Sequence, residues 1–90
     1  MSNNVKEYEM KQRVHATLEA TVRRDPFLKQ SLLDTVLHQI HIVNLDEGRF
    51  RRFGIISGDI DPAQIDDMRS LTGIKSVEED QQKSAQGALR

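Results

Sequence analysis

ISGDIDPAQIDDMRSLTGIKSVEED, residues 56–80, reads as strand, helix, strand and is the best-specified stretch of the chain. Asp61 stands at an N-cap position with Pro62 at N1, Gln64 at N3 completes a capping box, and Ile60 and Ile65 form a hydrophobic staple. Ile65, Met68 and Leu71 recur at a spacing that puts them on one helical stripe, and Gly73 supplies the left-handed residue after which the chain turns back. The pattern predicts a helix from Pro62 to about Thr72. Ile74 to Asp80 follows, β-branched at Ile74 and Val77, ending in three consecutive acids and too short for a second helix. It reads as the final strand.

Working upstream, the run Phe50 to Gly58 is expected to be a strand, paired as a hairpin with Ile40 to Leu45 across a turn at Asp46-Glu47-Gly48-Arg49. Neither run alternates cleanly, so both faces of that hairpin carry apolar side chains. Before it, Asp25-Pro26 repeats the cap signature, and Leu28, Leu32, Leu33, Val36 and Leu37 make a helical face ending near Leu37 or His38. Val14 to Val22 alternates strictly and reads as a half-buried strand. A helical reading competes with it, because Val14, Leu18 and Val22 also form an i, i+4, i+8 row and the alanines and Glu19 favour a helix. Residues 1–12 are a polar extension, residues 13–80 one domain, and residues 81–90 a polar, small-residue arm. The resulting order, β-α-β-β-α-β, predicts a ferredoxin-like α+β fold: a four-stranded antiparallel sheet with two helices on one face and the other face open.

Composition narrows what such a domain can do. Ninety residues with 37% hydrophobic and 30% charged content make a single small core. A chain of this size buries roughly 60–65% of its unfolded surface, which leaves little interior for a deep catalytic cavity. With no cysteine, a thiol nucleophile, a disulfide framework and a zinc ribbon are all excluded. The N-terminal dozen residues carry no apolar core of a secretory signal, and no run is long enough to span a membrane, so a cytoplasmic chain without a membrane partner is expected. A net charge of −1 gives no long-range pull toward nucleic acid, and none is expected as partner.

Several residue groups invite chemistry and have plainer explanations. Asp59, Asp61, Asp66 and Asp67 lack the spacing and terminal glutamate of a calcium loop, and Asp61 is already a cap. His38 and His41 are three apart, but near a strand they face opposite ways. Arg49, Arg51 and Arg52 with Phe50 and Phe53 lack the aromatic spacing of an RNA-recognition sheet. No metal, no cofactor and no catalytic residue is expected. Val43, Leu45 and Ile55 on an uncovered sheet face would need a cover, and a second copy of the chain is one answer.

The segment from Ile56 to Asp80, through Met68-Arg69-Ser70, Gly73-Ile74 and above all Ser76-Val77-Glu78-Glu79-Asp80, resembles the second half of subtilisin propeptides and their stand-alone inhibitor relatives. The resemblance implies a non-enzymatic module that binds a subtilisin-family serine protease as inhibitor or folding helper. Val43, Leu45 and Ile55 on the open sheet face would pack on the protease. Glu78 and Asp80 would cap two of its helices, and Lys83, Ser84, Ala85 and Gln86 would lie in its cleft. An ACT-like, dimeric, small-molecule-sensing domain shares the topology and is the alternative. Its glycine-rich turn is replaced here by Arg23-Arg24-Asp25-Pro26.

Overall fold

The computed structural model describes residues 11–80. Strand β1 (Gln12–Leu18) leads into a short helix α1 (Ala20–Arg24) and the longer α2 (Pro26–Gln39). After an irregular passage come helix α3 (Glu47–Phe53), strand β2 (Ile55–Ile60), a 3₁₀ turn (Pro62–Gln64), helix α4 (Ile65–Arg69) and strand β3 (Ile74–Glu79). The sheet has three strands in the order β2-β1-β3, both pairings antiparallel. The expected four-stranded, two-helix ferredoxin-like arrangement is therefore not what forms: among the described residues one strand is missing and four helices are present.

The missing strand is Ile40 to Leu45, which keeps only a single bridge, Val43 to Asp59, along the outer edge of β2. Asn44 adopts φ 58°, a left-handed conformation that breaks the two-residue alternation a strand requires. The expected hairpin turn is instead the start of α3. The Asp46 carboxylate accepts from Arg49 N at 3.0 Å as N-cap, Glu47 lies in the first turn, Arg51 and Arg52 in the last, and Gly54 closes the helix at φ 67°. Each of these features favours helix over turn and strand.

Two other boundaries shift for local reasons. The first strand stops at Leu18 rather than Val22, where the register slips against β3. There Leu18 N donates to Gly54 O at 3.4 Å and Glu19 N to Gly73 O at 2.8 Å. Released from the sheet, Ala20–Arg24 takes the helical conformation that its alanine and arginines prefer. The helix predicted from Pro62 shortens to a 3₁₀ turn and an α-helix ending at Arg69. Asp61 caps it by accepting from Ala63 N at 2.9 Å, and Gly73 turns the chain at φ 98°. By contrast, α2 is capped as expected: Asp25 Oδ1 accepts from Phe27 N at 2.9 Å and from Leu28 N at 3.3 Å, with Pro26 at N1.

All of the core lies on one side of the sheet. Val14, Ala16 and Leu18 of β1, Ile56 and Ile60 of β2, and Ile74 and Val77 of β3 pack under Leu32, Leu33, Val36, Ile40, Phe50, Ile65 and Met68. Burying a side chain of this class stabilises the fold by about 1.5–3 kcal/mol. The irregular passage is held against β2 because residue 58 is glycine: any Cβ there would strike Ile42 Cγ2 and stand 3.2 Å from Val43 O.

Candidate binding face

Antiparallel register sets which side chains share the outer face of the sheet. Arg13 pairs with Asp59, His15 with Ser57 and Thr17 with Ile55 on one flank, and His15 with Glu78 and Thr17 with Ser76 on the other. Asp80 N donates to Arg13 O at 2.8 Å, which places Asp80 beside Arg13. Three rows result: Ile55, Thr17, Ser76; then Ser57, His15, Glu78; then Asp59, Arg13, Asp80. Directly opposed residues in such a pair point the same way, so these form one surface opposite the helices.

This surface is polar, where an apolar one was expected. Of the three apolar residues assigned to it, Ile55 belongs to it and Val43 adjoins it beyond Asp59, both half-buried at the β2 edge. Leu45 does not: beyond the left-handed Asn44 it packs against the core cluster. The apolar area that argued for a second copy of the chain on this face is therefore reduced to one flank.

Two polar clusters organise the surface. In the first, Arg13 Nε lies 3.2 Å from Asp59 Oδ1, and Asn44 Nδ2 donates to Asp59 Oδ2 at 3.0 Å. The buried Oδ1 accepts no well-aligned hydrogen bond, so the arginine charge beside it is what offsets its desolvation. In the second, His15 Nδ1 is 2.7 Å from Ser57 Oγ and His15 Nε2 is 3.5 Å from Asp80 Oδ2. A proton on Nε2 satisfies both contacts, with the serine hydroxyl donating to Nδ1. Serine, histidine and aspartate in line are the components of a nucleophilic triad. Ser57, however, is only 1% exposed, so its hydroxyl is closed to a substrate carbonyl. The relay instead ties the middle strand to both of its neighbours.

The remaining candidates are spread out. Glu78 is exposed on this face, whereas Asp80 is half-buried. Lys83, Ser84, Ala85 and Gln86 lie outside the described residues. Asp66 pairs with Arg69 at 3.2 Å on the helical side, and Asp61 is a cap. No group of three or more possible metal ligands occurs among the described residues, and no helix there is long and apolar enough to cross a membrane. On the helical side a half-open groove of about 410 Å³ runs between α2 and the α4–β3 turn, floored by Val22, Leu28, Leu32 and Leu71, with no titratable side chain along it. The serine–histidine–aspartate line was missed from the sequence. Strand alternation alone gives the parity of His15, but the register that brings Ser57 and Asp80 to it spans the whole domain. No family model matches the chain, and no curated protein or solved structure matches it.

Proposed function

We propose that the chain is a non-catalytic protein-binding module that works through the outer sheet face, and that its partner is a subtilisin-like serine protease. The observation that carries this reading is the placing of Glu78. It is an exposed carboxylate in the middle row of a face without helices, flanked by the half-buried Asp80. A carboxylate so presented satisfies the free N–H groups and positive end of a partner's helix, worth about 0.3–1 kcal/mol and more when partly buried. The resemblance assigns acids of the last strand that role. The stretch that carries it, residues 56–80, folds as strand, helix and strand. Polar rows beside the carboxylate favour a partner bound by hydrogen bonds and charge, with Ile55 and Val43 as its apolar flank.

The test is the residual activity of a panel of subtilisin-like proteases against increasing amounts of the purified chain, with intact mass measured afterwards. Inhibition without cleavage, weakened about two- to fivefold by Glu78→Ala, is the expected outcome. Rapid digestion without inhibition overturns the proposal. Glu78 is chosen over Asp80 because Asp80 also contacts His15, so its loss would disturb the face itself.

A further inference from the structure

The end of the sheet where β1 finishes and β2 begins gathers basic and aromatic side chains that the protease reading does not use. Backbone bonds from Leu18 to Gly54 and from Glu19 to Gly73 draw α1, the last turn of α3 and the starts of β2 and β3 together there. Arg23 lies along Gly54, where an added Cβ would come within 2.5 Å of its Cγ, and its Nη1 donates to Leu18 O at 3.3 Å. Arg23 and Arg24 make the last turn of α1, and Arg51 and Arg52 the last turn of α3. Lys29 clamps α2 to α3: its Nζ donates to Arg51 O at 2.8 Å and stands 5.1 Å from the centre of the Phe50 ring.

Out of this basic end stand two rings. Phe27, in the first turn of α2, is 80% exposed, and Phe53, the last residue of α3, is 58% exposed. Leaving a phenylalanine in water forgoes the gain of burying its ring, and here that happens twice at one end. Of the acids at this end, Asp25 is already committed to capping α2, and Glu19 stands exposed just before α1. Asp59, Asp61, Glu79 and Asp80 lie at the opposite ends of the strands. The near-neutral total thus conceals a basic end, and the aromatic spacing of an RNA-recognition sheet, absent here, is not required of a surface built from helix ends.

We infer that this end binds single-stranded nucleic acid, Phe27 and Phe53 stacking on bases while Arg23, Arg24, Arg51 and Arg52 meet the phosphates. Single strands are held by that combination of aromatic platforms and a basic track, without base-specific hydrogen bonds. A membrane surface fits less well. Interfacial binding uses one continuous apolar helix face, whereas these rings come from the ends of two helices and are interleaved with guanidinium groups.

The experiment is fluorescence anisotropy of a labelled oligothymidylate of about twelve nucleotides with the full chain. Saturable binding is expected at low salt. If four cations are engaged, it should weaken about fifty-fold between 50 and 200 mM salt. Phe27→Ala with Phe53→Ala should lose about tenfold or more while keeping the salt slope, and Arg51→Glu with Arg52→Glu should lose both affinity and slope. All four positions are exposed, and circular dichroism checks that the variants fold. Binding that survives both pairs of substitutions, absence of binding at 50 mM salt, or binding to phosphatidylserine vesicles without binding to the oligonucleotide each overturns the inference.

Discussion

On β1, Val14, Ala16 and Leu18 are fully buried beneath the helices, whereas Arg13, His15 and Thr17, their immediate neighbours, stand half-exposed on the other side. The same contrast runs across the sheet. One face is held by apolar area removed from water and has no buried polar side chain among the described residues. The other is held by an ion pair and a serine–histidine–aspartate line, whose gain is partly returned as desolvation. Stability and the proposed recognition are thus written in alternate letters of the same strands.

The sharpest way to break this contrast is to truncate the helix-side face. Met68 is fully buried between helix α4 and the sheet, and Met68→Ala should cost about 2–5 kcal/mol. That is a large share of the roughly 5–15 kcal/mol available to a small domain, and it should appear as a drop in thermal midpoint of ten degrees or more. An unchanged midpoint would mean that the helices do not hold the sheet. On the outer face, Arg13→Ala strips the buried Asp59 oxygen of its cation and should cost about 1–3 kcal/mol in urea unfolding, with the slope unchanged. A loss as large as that of Met68→Ala would erase the distinction between the faces. Smallest of all, Glu78→Ala should alter stability by less than about 0.5 kcal/mol, because the side chain is exposed. A larger loss would make Glu78 a structural residue and remove it as a docking group.

Where the sequence was legible, a cap and a period agreed. Asp25-Pro26 before the leucines locates the start of α2, Asp61-Pro62 locates the 3₁₀ turn that leads into α4, and Gly73 locates the turn into β3. The parity of Glu78 on the outer face followed from Val77 being in the core. Expectation and structure part at residues 40–54, where composition favours a strand and the punctuation favours a helix. Ile40, Ile42 and Val43 look like a strand, yet Asp46, Glu47, Arg51, Arg52 and Gly54 are the acid start, basic end and left-handed stop of a helix. Those signals were present and pointed to α3. Asn44 at positive φ had a local signal too, since asparagine is one of the few side chains that enters the left-handed region readily. The outer-face clusters were less legible still, since they join residues up to 65 positions apart.

A sheet of three strands has two edges, and each is an invitation to runaway polymerisation through backbone pairing. Here the irregular passage lies along β2, with Val43 and Asp59 exchanging both of their bonds and Asp46 N donating to Ser57 O at 2.9 Å. On β3, Arg69 Nη2 donates to Val77 O at 3.2 Å, between the charged Lys75 and Glu79. The strand lost from the expected fold has thus become a guard rail, and the arginine that closes α4 is its counterpart on the far side. Together they discourage this domain from growing into fibrils, a hazard that a longer, flatter fourth strand would have left open at its own rim.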